Sequence, residues 1–157
     1  MDLGCGTGRA LPLLQRAVGD DGLVVGVDAT PEMLRAASEH ARDVRARLLL
    51  ADVTRFPCAP NRVDAIFAAG LLTHVPNPGG LLQTLARAAR PKCRLVLFHP
   101  VGREALARRH QQQVQPDALL DPQVLPGVLA AGGWVLEDID DAEHRYLALA
   151  SKADEAV

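Results

Sequence analysis

Short continuous apolar runs alternate along this chain with stretches in which apolar residues recur every three or four positions. Residues 23–27 form one run that ends at Asp28, residues 47–51 a second that ends at Asp52, and 63–69 and 94–98 two more. Runs of this length between turn residues predict buried strands. Between them, residues 9–18 place Leu11, Leu14 and Val18 on one helical stripe. Met33, Leu34, Ala37 and Ala41 do the same after Thr30-Pro31-Glu32, where Thr30 is the expected N-cap and Pro31 the first helical residue. Leu81, Leu82, Leu85, Ala88 and Ala89 mark a helix that stops before Pro91. A polar helix is expected over 102–115. Another starts at Asp121-Pro122 and runs to Ala131, with Pro126 expected to kink it. Residues 134–139 and 145–150 read as two strands of a hairpin. The segments 19–22, 56–62 and most of 70–80 are turn or loop. Alternating strands and helices predict an α/β fold, a doubly wound, mostly parallel sheet. One domain over 1–151 and a frayed tail over 152–157 are expected.

The organising stretch is Asp2-Leu3-Gly4-Cys5-Gly6-Thr7-Gly8. Alternate glycines turn the chain tightly and let a ligand approach backbone. A helix follows, so free amides and the positive end of its dipole face the turn. In sheets of this kind ligands sit at the carboxyl ends of the strands. Asp2, Asp28 and Asp52 all fall there, and Asp28 lies 20 residues beyond Gly8, where a strand-end acid accepts ribose hydroxyls. The spacing separates two ligands. A dinucleotide with its anionic pyrophosphate usually takes Gly-x-Gly-x-x-Gly, and here Arg9 occupies the last glycine position. An acid-lined site suits instead a ligand carrying a sulfonium and an ammonium.

These motifs together resemble those of class I S-adenosylmethionine-dependent methyltransferases of the ubiquinone/menaquinone-biosynthesis-like type. Residues 2–8 are similar to the first motif. Gly26-Val27-Asp28-Ala29-Thr30-Pro31-Glu32-Met33-Leu34 is similar to the second, and Ala51-Asp52-Val53 and Val63-Asp64-Ala65-Ile66 to the third and fourth. Leu72-Thr73-His74-Val75-Pro76-Asn77-Pro78 resembles the loop after the fourth strand. The resemblance covers residues 2 to about 150 and implies S-adenosylmethionine as cofactor and a strand order of 3-2-1-4-5-7-6, with the last strand antiparallel. By the same resemblance Gly4 and Gly6 pass close to the methionine part, and Asp2 adds negative charge beneath the turn. Cys5, a small space-filler, belongs to the same cofactor set. Asp28 holds the ribose, Ala29 or Met33 flanks the adenine, Asp52 and Val53 read its edge, and backbone at Ala69 and Gly70 meets the methionine end. Two departures stand out. Pro91-Lys92-Cys93 replaces the usual Pro-Gly-Gly, and only three residues precede the turn. The expectation is therefore a truncated first strand, with the native reading frame beginning upstream or the chain a fragment.

Composition narrows the partners. At 157 residues, 48% hydrophobic and 23% charged, the chain is an ordinary globular domain. A net charge of −2 and five aromatic-ring residues argue against a nucleic-acid surface. No apolar run approaches the roughly 18 residues of a membrane span. Cys5, Cys58 and Cys93 have no metal-ligand spacing, so reduced thiols, a cytoplasmic location and no metal are expected. Methyl transfer is an in-line displacement for which the protein supplies alignment and water exclusion, with a general base only where the acceptor arrives protonated. His74 and His99 are the candidates. His74 also reads as a loop residue on the cofactor rim, and His99-Pro100 as a capped strand end. Trp134 reads as core, Arg103, Arg108 and Arg109 as a solvated face, and His40, His110 and His144 as surface. The acceptor is expected to be a small molecule, and nothing here fixes the oligomeric state. The alternatives are a truncated cofactor-binding module without turnover and, remotely, an NAD(P)-dependent oxidoreductase.

Overall fold

The structure is a computed structural model and describes residues 1–55, 58–115 and 118–153. Phe56 and Pro57 of the predicted loop, and residues 154–157 of the predicted tail, lie outside the described residues. Seven strands build one sheet: β1 (Asp2–Leu3), β2 (Val25–Asp28), β3 (Arg47–Leu50), β4 (Val63–Ala69), β5 (Ala89–His99), β6 (Trp134–Ala142) and β7 (Arg145–Lys152). Their order is β3-β2-β1-β4-β5-β7-β6. The first five run parallel, and β7 is antiparallel to both β5 and β6. The implied order is the observed one. Lys152, expected in the tail, is the last residue of β7.

Among the described residues five α-helices, α1 (Leu11–Val18), α2 (Pro31–Asp43), α3 (Pro78–Ala88), α4 (Arg103–Arg109) and α5 (Leu125–Ala131), and a short 3-10 turn at Leu72–His74 accompany the sheet. Side chains alternate along extended chain, so Val24, just before β2, and Gly26 within it face one side and Val27 the other. On the first face Val24 meets Leu11 of α1 and Ala41 of α2 in a small cluster. On the second, Leu3, Val27, Ile66, Leu95, Leu97 and Trp134 join Leu82 and Leu85 of α3 and Leu125 and Leu129 of α5. Trp134 is fully buried, and its indole N–H donates to the Leu82 carbonyl at 3.0 Å. None of the helices among the described residues is long and apolar enough to cross a membrane.

β1 is the pivot despite its length. Asp2 lies opposite Gly26 and Phe67, and Leu3 opposite Val27 and Ala68. The Met1 ammonium extends this ladder by donating to the Ala65 carbonyl at 2.8 Å, and burial lowers its pKa. The glycine turn is thereby fixed at the carboxyl end of the central strand.

Four local expectations are corrected. The first helix begins at Leu11, not residue 9, because residues 9 and 10 complete the turn. Thr30 occupies the N-cap position of α2 without capping through its side chain; its own amide is instead taken by Asp28. Pro126 sits in the first turn of α5, where a missing amide costs nothing, so it does not kink the helix. β5 starts at Ala89 and carries Pro91-Lys92-Cys93 within it as a bulge, since the register jumps from Val63 opposite Ala89 to Ala65 opposite Arg94. Lys92 adopts a φ of 66° there.

Candidate functional site

Three glycines in the left-handed region build the turn after β1: Gly4, Gly6 and Gly8, with φ of 65°, 53° and 78°. Gly8 is needed twice over, because a Cβ there would stand 2.9 Å from the Cβ of Ala37 in α2. The Cys5 amide donates to the Val27 carbonyl at 3.0 Å and ties the turn to β2. Cys5 itself is buried, its sulfur so close to Gly26 that a Cβ at that glycine would lie 3.0 Å away. Burial pushes its thiol up to about 12, so it fills space rather than reacting.

Asp28 at the end of β2 reaches back across the turn. The Gly6 amide donates to its Oδ2 and the Thr30 amide to its Oδ1, each at 2.9 Å. Every carboxylate oxygen has two acceptor sites, so a second site on each remains for a ligand. Asp52, after β3, accepts the Thr54 hydroxyl at 2.7 Å and the Thr54 amide at 2.9 Å on Oδ1. Those bonds, the hydroxyl foremost, hold its carboxyl below the usual range. Asp2 differs from both. It is 1% exposed, and its Oδ2 has no hydrogen-bond partner. Burial pushes its carboxyl up to about 6, against the pull of the N-terminal ammonium and with a push from Asp28.

A cavity of about 280 Å³ opens over these strand ends, lined by Gly4, Asp28, Ala29, Asp52, Val53 and Leu71 among others. Asp2, Cys5 and Gly6 are not in its lining, although the Gly6 amide bonds the lining residue Asp28. Met33 stands on α2 with 43% of its surface exposed and is not in the lining. Gly70, with φ of 62°, lines a second cavity, and Ala69 lines neither.

The second cavity, about 270 Å³, sits at the ends of β4 and β5. Gly70, Phe98 and His99 come from those strand ends, Arg103 and Leu106 from α4, and Tyr146 from β7. Leu71 and His74 line both cavities, which adjoin at these two residues. Nδ1 of His99 lies 2.7 Å from the Val101 carbonyl oxygen and 3.2 Å from the Val101 amide. Tyr146, paired with His99 across the β5–β7 ladder, donates its hydroxyl to the Leu120 carbonyl at 2.9 Å; burial pushes that phenol up.

Arg103 corrects the solvated-face expectation. Its side chain is 13% exposed and clamps Asp121 at 2.7 Å, with Asp141 at 3.7 Å and the Gln115 carbonyl at 3.1 Å. Asp121 is held below the usual carboxylate range, first by the Gln123 amide and then by Arg103. Arg108 does lie in solvent, beside Glu104 and Glu143. Arg103, Leu106, His110, Leu120 and Tyr146 were not legible as site residues, because only the fold brings α4 and β7 to this sheet end. The one signal was the antiparallel hairpin, which sets Tyr146 beside His99.

Residues 1–92 match the methyltransferase domain family. An arsenite methyltransferase of Halobacterium salinarum is 30% identical over 97% of this chain and 38% of its own length. A 2-phytyl-1,4-naphtoquinone methyltransferase of Synechococcus elongatus is 29% identical over 83% of this chain and 56% of its own. The chain thus spans well under two thirds of these curated relatives. Among solved structures, a SAM dependent methyltransferase from Aquifex aeolicus superposes with a TM-score of 0.78 at 23% identity, covering 97% of this chain and 80% of that one.

Proposed function

Because this chain belongs to the methyltransferase domain family, we propose that it binds S-adenosylmethionine in the cavity over Asp28 and Asp52 and directs its methyl group to a small-molecule acceptor in the neighbouring cavity. The observation that carries this is the carboxylate set. Asp28 ends β2 and Asp52 follows β3, both lining the cavity, while a third acid, Asp2, is buried in β1 beneath the glycine turn with an orphaned oxygen. An acid-lined cavity suits a ligand that carries a sulfonium and an ammonium. The same acids repel an anionic pyrophosphate, which counts against a nicotinamide dinucleotide.

When bound, S-adenosylmethionine supplies a methyl group on a sulfonium sulfur, an electrophile that takes the acceptor's electron pair and leaves a neutral thioether. The protein's own residues do the rest. Asp28, pre-set by the Gly6 and Thr30 amides, accepts the ribose hydroxyls. Asp52 and Val53 border the adenine edge with Ala29. Gly4 lets backbone approach, and Asp2 places negative charge beneath the turn. Leu71 and His74, common to both cavities, bring acceptor and methyl donor side by side and exclude water from the contact.

Calorimetry with S-adenosylmethionine and with S-adenosylhomocysteine tests the reading. One site for each is expected. A folded protein, shown by its thermal transition, that binds neither overturns it.

A further inference from the structure

Building on that methyl-transfer reading, the geometry points to a phenolic or enolic hydroxyl as the group methylated, with Nε2 of His99 taking its proton. The inference starts from the tautomer. Nδ1 of His99 and the Val101 carbonyl oxygen are 2.7 Å apart. Two lone pairs at that separation repel, so a proton lies between them and Nδ1 is the donor. The Val101 amide also directs its N–H at Nδ1, at 3.2 Å, a contact that would need a lone pair there; the carbonyl oxygen approaches more closely and takes precedence. In the neutral ring Nε2 then carries the lone pair, and no hydrogen bond reaches it among the described residues. The ring turns its Cδ2 edge toward Gly70, where a Cβ would stand 3.7 Å from Cδ2. Nε2 is bonded to that carbon, and both residues line the second cavity.

The surroundings select the acceptor. Leu71, Leu97, Phe98, Leu106 and Leu120 make the lining largely apolar. Arg103 is already held by Asp121 and Asp141, so it does not call for an anionic acceptor. The Tyr146 hydroxyl is spent on the Leu120 carbonyl. His74 and His110 are exposed at the rim. A volume of about 270 Å³ accommodates roughly nine water-sized groups, the size of one substituted ring. An imidazole is matched to the acidic hydroxyls of phenols and enols rather than to alkanols. In the step, the acceptor O–H bond breaks and an N–H bond forms at Nε2. The electron pair stays on oxygen as the nucleophile, and the imidazolium returns its proton to water.

Two measurements decide. Nitrogen-resolved NMR of the histidine-labelled protein is expected to show His99 with hydrogen on Nδ1 and a bare Nε2; hydrogen on Nε2 overturns the proposal without any variant. The second uses 4-nitrophenol, whose phenolate absorbs in the visible, at a pH where the free probe is mostly protonated. Titrating in the protein should raise the phenolate band. His99→Gln should abolish that rise, and His144→Gln, on the exposed β6–β7 turn, should keep it. No rise with the native protein, or a rise that survives in His99→Gln, sinks the assignment. If S-adenosylhomocysteine binds while the band stays flat, only this inference fails. A band without nucleoside binding overturns the methyl-transfer reading beneath it.

Discussion

The amide of Gly6 and the carboxylate of Asp28 meet at 2.9 Å although 22 positions separate them in the chain. This bond joins the glycine turn to the end of β2 and aims the acid before any ligand arrives. Asp28→Ala removes a charged acceptor from two backbone amides and from the ribose. The expected loss is about 1.5–3 kcal/mol, or roughly ten- to hundredfold in affinity for S-adenosylhomocysteine. Calorimetry reads it, and an unaltered affinity would show that Asp28 does not hold the nucleoside.

Asp2 gives the stability curve a sign. Its carboxyl titrates at about 6 in the fold, against an ordinary 3.8. Between those values the folded chain keeps a proton that the unfolded chain releases, so this term weakens stability as pH rises through the window. Above pH 6 the penalty is complete, about 3 kcal/mol. Asp2→Asn should therefore be more stable than the native protein at pH 8 and equal to it near pH 4, while binding the nucleoside less well. Urea unfolding at both pH values is the check. A gap that is the same at the two would remove the buried charge as its cause.

Gly102 seats α4 against the end of β6. A Cβ there would lie 2.0 Å from the Ala142 carbonyl oxygen and 2.9 Å from its carbon. Both are backbone, so nothing flexible gives way. Gly102→Ala should cost roughly 1–3 kcal/mol, seen as a lower Tm. Since α4 carries Arg103 and Leu106 into the second cavity, nitrophenol binding should fall in the same variant while nucleoside binding holds.

Lys92 offers the opposite change. It holds a φ of 66° in the β5 bulge with its side chain in solvent. Relief of left-handed strain, less the entropy a glycine loses on folding, should make Lys92→Gly more stable by about 0.5–1 kcal/mol. A denaturant midpoint that does not move, or moves down, contradicts this.

The alternation of strands and helices and the glycine turn were readable because both rest on local patterns, apolar runs and alternate glycines; the sheet order was readable only through the resemblance of the motifs to a known family. Asp28 and Asp52 were readable as acids that follow apolar runs. The second cavity was not. Arg103 looked like one of three solvated arginines until Asp121 and Asp141, from a loop and a distant strand, closed around it. The bulge at 90–93 was hidden by Pro91, which reads as a stop although a bulged strand accommodates it. The burial of Asp2, and the raised titration that follows from it, were not readable, because burial is set by the packed sheet.

Leu71 and His74 belong to the linings of both chambers. A guest that shifts either side chain from one chamber changes the space left in the other. The two guests therefore share one boundary condition, and the room granted to the second is set by how the first has settled.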